Sequence, residues 1–171
     1  MSSTQGQAEL SQSKPPRGYS KPKSQRSPAT GPLRQLASLQ RSLTRFLDVI
    51  DAEAKQLDAS SSDAHEIVEN IRSLVKRRVF CSGGPLDPSV YQDNHSAFEE
   101  ARTAENDGHE MYVYALERYQ RRQVSDLDVS ESDSDRSALV RRRREYISTL
   151  FAFQAQVKAI IDYLRERSSS S

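Results

Sequence analysis

Leu33, Leu36, Gln40, Leu43, Leu47, Ile50, Ala54 and Leu57 recur at alternating steps of three and four, the spacing that keeps one stripe of a helix turned toward a partner. Only Gln40 interrupts the stripe. Leu39 and Phe46 widen it, while Arg34, Arg41, Arg45, Asp48 and Lys55 take the opposite side, as on a bundle helix. Pro32 after Gly31 suits a first helical turn, and the spacing predicts a helix over 32–58. The run Ser60 to Asp63 then reads as a turn. Asp63 followed by Glu66 forms a capping box, so a second helix is expected over 63–79, with Ala64, Ile67, Val68, Ile71, Leu74 and Val75 on its apolar face. Lys76, Arg77 and Arg78 place positive charge at its C-terminal dipole. Gly83, Gly84 and Pro85, followed by Asp87-Pro88, make a loop.

A second capping box, Ser96 and Glu99, predicts a third helix over 96–122, with Phe98, Ala101, Ala104, Met111, Tyr112, Ala115 and Tyr119 on a narrower, tyrosine-rich face. Asn106-Asp107-Gly108 is an expected kink or split, since glycine costs about 1 kcal/mol relative to alanine inside a helix. The fourth helix, over 135–167, carries the most regular seam: Leu139, Arg143, Tyr146, Leu150, Phe153, Val157, Ile160 and Leu164. At ~1.5 Å per residue it would be ~50 Å long against ~37 Å for the first helix, and so would overhang a compact bundle. The pattern predicts an all-α fold, an antiparallel helical bundle or hairpin with coiled-coil-like helices. An acidic linker spans 123–134, and a short tail, 168–171, is expected to fray.

Composition adds a tail and removes several functions. Residues 1–31 hold Leu10 and Tyr19 as their only large apolar or aromatic side chains after Met1, too little to offset ordering entropy. Lys14, Arg17, Lys21, Lys23 and Arg26 make this stretch a basic, disordered arm, within which Ser27-Pro28 is a minimal proline-directed kinase acceptor. The net charge of +1 conceals local excesses of both signs, so electrostatics must be argued segment by segment. Cys81 is the single cysteine, which removes any intrachain disulfide or multi-thiolate zinc site and favours a reducing compartment. No segment reaches the ~20 apolar residues of a membrane span, and no signal-peptide core begins the chain. The expected residence is intracellular, with the basic clusters tilting it from cytoplasm toward nucleus.

The stretch from Ser125 to Glu145 passes from acid and serine to four consecutive arginines. Asp126, Asp128, Glu131, Asp133 and Asp135 precede the last helix, where carboxylates favour the dipole's positive end. Ser125, Ser130 and Ser132 each have an acid three residues downstream, an acceptor pattern for acidophilic kinases, and phosphate there would deepen the negative charge. Arg141, Arg142, Arg143 and Arg144 cover most of a helix circumference. Arg143 falls on the seam, where an unpaired guanidinium is costly, so packing is expected to begin near Tyr146, with the first turns wet or facing acid. That acid is the Ser/Asp run, an acidic partner or nucleic-acid phosphate.

No phosphate-cradling glycine loop is present. His65, His95 and His109 are scattered; His95/Glu99 and Glu105/His109 stand at helical spacing, but the Glu-x-x-His signature of di-iron bundles is missing. No catalytic, cofactor or metal residue is therefore assigned. The expected function is a non-catalytic structural or adaptor subunit, binding a helical protein partner or its own copies through Leu36, Leu43, Leu47, Ile50, Leu57, Tyr146, Leu150, Phe153, Val157, Ile160 and Leu164. The alternative is a nucleic-acid-binding or chromatin-associated helical protein using the basic N-terminal arm, Arg77, Arg78 and Arg141 to Arg144. A metal-dependent bundle enzyme ranks behind both.

Overall fold

The computed structural model describes residues 30–125 and 129–170, with no side chain described at 129 and 130. Among the described residues four helices carry the fold: α1 (Thr30–Ala52), α2 (Leu57–Arg78), α3 (Gln92–Val124) and α4 (Val129–Ser169), with a 3-10 turn at Ala54–Gln56. No strand occurs among the described residues. The helices pack as an antiparallel bundle in which α1 touches α2 and α4, and α3 touches α2 and α4. Gly31, opening α1, lies beside Arg78, closing α2. Along the α3–α4 pair, Arg118 meets Asp135, Phe98 meets Phe153 and Tyr91 meets Tyr163, so one chain rises as the other falls.

The seams predicted for the first and last helices close on each other inside the chain. Leu36, Leu43, Leu47, Ile50, Leu57, Tyr146, Leu150, Phe153, Val157, Ile160 and Leu164 are all buried, none above 4% exposed. Each such side chain contributes about 1.5–3 kcal/mol of burial energy as an upper estimate. Gln40, the interruption in the α1 stripe, donates to Thr44 Oγ1, which also accepts from Gln154 of α4 at 2.6 Å. The polar break is thus a tie between two helices.

Several predicted boundaries move. The first helix stops at Ala52 rather than 58, and the chain reverses through Glu53 and the 3-10 turn, so Leu57 belongs to α2. The Ser60–Asp63 run is helical because Ser61 and Ala64 are small side chains buried on the same stripe as Leu57, Val68, Ile71 and Val75; burial of that stripe overrides the serines' turn preference. Asp63 and Glu66 are therefore exposed side chains within the helix, not its cap. In α3, Ser96 and Glu99 likewise lie inside a helix that begins at Gln92, with Tyr91 as a cap residue that makes no side-chain cap bond.

Gly108 does not split α3, which is continuous from Gln92 to Val124. A β-carbon there would lie 3.2 Å from Thr149 Oγ1 and 3.3 Å from its Cγ2, so the glycine permits close approach of α3 to α4. The expected linker 123–134 is largely helical: α3 runs to Val124 and α4 starts at Val129, with 126–128 outside the described residues. Arg122 holds both Glu131 (2.7 Å) and Asp135 (2.6 Å), which anchors the first turns of α4 earlier than the apolar pattern indicated. At its other end α4 continues through Ser168 and Ser169, whose hydroxyls bond to Leu164 and Arg165 carbonyls. Residues 1–29, including Ser27, lie outside the described residues.

Between α2 and α3, Val79, Phe80 and Leu86 turn into the core. Gly83 adopts φ +73°, a conformation that favours glycine. A β-carbon on Gly84 would stand 2.6 Å from the Val79 carbonyl. Asp87 closes the loop by accepting bonds from Ser89 and the Gly83 amide, which hold its carboxyl below the usual range. Cys81 is half-buried in this loop.

Candidate functional site

The bundle carries a polar layer through its interior, drawn from α2, α3 and α4. Glu105, fully buried on α3, accepts from Tyr146 at 2.8 Å and lies 3.1 and 3.2 Å from His65 Nδ1 through its two oxygens. Burial pushes its carboxyl above the ordinary range, against the His65 and Tyr146 hydrogen bonds that favour the charged form. His65 stacks on His109 with ring centroids 4.2 Å apart and planes 2° from parallel. Burial, with the His65 charge beside it, holds His109 below its usual value near 6.5. Its Nε2 is buried without a hydrogen-bond partner.

Tyr146 also stacks against Tyr112 at 5.7 Å, connecting this layer to a second one nearer the α1–α2 turn. There Tyr112 donates to Asp58, and Arg143 grips the same carboxylate through Nε (3.1 Å) and Nη2 (2.7 Å). Asp58 sits in the first turn of α2, where the dipole also favours a negative charge. Burial raises both tyrosine hydroxyls far above their usual values, and the adjoining carboxylates add to the effect. The arrangement resolves the Arg143 problem posed by the seam. The guanidinium is 11% exposed and meets acid, but the acid comes from α2 rather than from the neighbouring Ser/Asp run. Packing accordingly begins at Asp135 and Leu139, both buried, about three and two turns before Tyr146.

The other arginines face outward. Arg142 pairs with Glu145 at 2.8 Å, Arg141 approaches the same residue at 3.9 Å, and Arg144 is exposed. Such surface pairs are worth about 0–1 kcal/mol and leave the charges accessible. Ser125 is exposed and donates to the Arg121 carbonyl; Ser132 is partly exposed in the first turns of α4. Ser130 lies in α4 with its side chain outside the described residues.

Neither helical His/Glu pair acts together: His95 packs edge-on against Phe80, and Glu105 turns to His65 rather than His109. Among the described residues no three His, Cys, Asp or Glu side chains are arranged to hold a metal. What the interior layer can do is set register. Both Glu105 oxygens lie within hydrogen-bonding distance of neighbouring helices, so sliding any of them strands a buried carboxylate.

Sequence reasoning missed Asp58, Glu105 and the two histidines as one constellation. Glu105 and His109 were legible as neighbours on one helix; their partners come from other helices, some forty residues away in sequence for His65. It also missed a surface. Met111, expected on the apolar face of α3, and Tyr114 are 48% and 64% exposed, and line an outer groove of about 240 Å³ with Ala115, Arg118, Ala138, Arg141 and Arg142. No described helix is long and apolar enough to cross a membrane. Comparison of the chain with protein-family models, with curated proteins and with solved structures finds no match.

Proposed function

We propose that the chain is a non-catalytic structural or adaptor subunit of a larger intracellular complex, docking protein partners on the outside of a helical bundle. The observation that carries this reading is the unequal length of the two hairpins. α3 and α4 have 33 and 41 residues against 23 and 22 for α1 and α2, or ~50 and ~60 Å against ~35 and ~33 Å. The longer pair extends past the α1–α2 turn, where Val124 is 90% exposed, and Val140, beside Lys55 and Asp58 at the turn itself, is 43% exposed. The partner surface is thus assigned to the flanks of α3 and α4, because the apolar seams are consumed by the core. Exposed Ser125 and partly exposed Ser132 flank this end, where phosphorylation would add charge beside Arg121 and Arg122.

The test is affinity isolation of the tagged chain from cells, with wild type compared to Val140→Asp and Arg144→Glu, both at exposed positions. A stoichiometric protein partner retained by wild type and lost from a folded variant is expected. Recovery of no protein other than the chain itself would remove the adaptor reading. The nucleic-acid alternative draws on exposed Arg144, which makes no ion pair among the described residues. It requires affinity that falls steeply with salt and is lost when Arg141, Arg142 and Arg144 become alanine.

A further inference from the structure

The outward side of α3 repeats the spacing of the buried seams. Ala104, Asp107, Met111, Tyr114, Arg118 and Arg121 follow steps of three, four, three, four and three, and every one is exposed. A stripe at 3.5-residue spacing is the form that packs against another helix, and no helix among the described residues covers it. Its chemistry is ordered along the axis: acid at one end, Met111 and Tyr114 in the middle, arginine at the other. A ligand of one sign would match only half of such a stripe, and the basic N-terminal arm would meet repulsion at Arg118 and Arg121. The stripe is complementary to its own reverse.

We propose that this face pairs two copies of the chain, α3 against α3, antiparallel about a two-fold axis passing between Tyr112 and Val113. Reversing direction leaves the series three, four, three, four, three unchanged, so a position that opens a three-residue step on one copy meets one that closes it on the other, in mixed layers. In this register Met111 of each copy faces Tyr114 of the other, Asp107 faces Arg118, and Ala104 faces Arg121. Such an isologous contact satisfies every layer twice. Asp107 makes no ion pair within the described residues, and Arg118, although it reaches Asp135 at 2.9 Å, keeps 51% of its side chain exposed. The groove between Ala115 and Ala138, floored by small side chains, takes the Tyr114 ring of the second copy. This inference rests on reading the chain as an assembly component, and names one partner for it.

The experiment is sedimentation equilibrium or light scattering of the purified full chain over a dilution series, with circular dichroism to verify that each variant folds. Wild type is expected to pass from monomer to dimer with concentration, and Met111→Lys/Tyr114→Lys to remain monomeric at full helicity. Asp107→Arg places arginine opposite Arg118, and Arg118→Asp places aspartate opposite Asp107, so each alone is expected to be monomeric. Mixed in equal amounts, the two are expected to form a heterodimer, because every charged layer is again complementary. A wild-type chain that stays monomeric overturns the proposal, as does a dimer that survives the lysine pair. Single variants that fail to recover on mixing overturn the register. The adaptor reading fails separately, when cells yield the chain with no other protein, whatever its mass in isolation.

Discussion

His109 shows how a single side chain can make stability depend on pH. Its ring is stacked on His65, its Nε2 is buried without a partner, and burial lowers its proton affinity. A histidine held below its unfolded value near 6.5 contributes stability that is full above that value and lost as pH falls through its folded one. Glu105 has the opposite sign. Its raised carboxyl contributes most below the ordinary value of 4.5 and loses that contribution as pH rises through its folded one. An acid limb, a loss of stability as pH falls from neutrality through 6.5, therefore carries the sign of His109 and not that of Glu105. His109→Phe, which keeps the stacking surface, is expected to flatten that limb, read as a smaller loss of urea midpoint between pH 7 and pH 5.5 than wild type shows. An unchanged limb would assign the dependence to other groups.

At the scale of the element, the most informative feature is where α1 gives way to α2. The polar run Ser60 to Asp63 looks like a turn, yet Ser61 is 5% exposed and lies on the α2 stripe between Leu57 and Ala64. The reversal occurs instead at Glu53, with φ −141° and ψ 87°, next to exposed Ala54. This geometry lies outside the helical region that proline disfavours in the residue before it. Ala54→Pro is therefore expected to leave stability within about 0.5 kcal/mol of wild type, whereas Ser62→Pro, one turn into α2, is expected to cost about 3 kcal/mol or more. Equal penalties in urea denaturation would place the turn elsewhere.

For the whole molecule, the two longest apolar seams meet each other rather than a second protein. Phe153, fully buried and in contact with Phe98, is accordingly a stability residue. Phe153→Ala is expected to cost about 3–5 kcal/mol through one cooperative transition in which far-ultraviolet dichroism and tyrosine fluorescence coincide. A variant of normal stability that merely fails to assemble would return the seam to the role of an interface. The same closure explains why assembly is argued from α3 and α4. Once α1 and α2 have covered the inner faces of the longer pair, the outward stripe and the extended end are what remains for other molecules.

The sequence by itself determined the helical class, the loop between α2 and α3, and most of the core residues, because burying an apolar stripe leaves a 3.5-residue period that is written in one strand of text. It also exposed Arg143 as a charge that must find acid. Only the tertiary structure decided which acid, since Asp58 lies eighty-five residues away in sequence and no local spacing encodes a contact between helices. The helix ends at 52–57 and 129 were decided the same way, by small or charged side chains that gain partners across the bundle and so override their local preferences. The two faces of α3 were likewise separable only after folding. Met111 and Tyr112 are adjacent in sequence and equally able to fill a core, but rotation about the helix buries one and leaves the other in water.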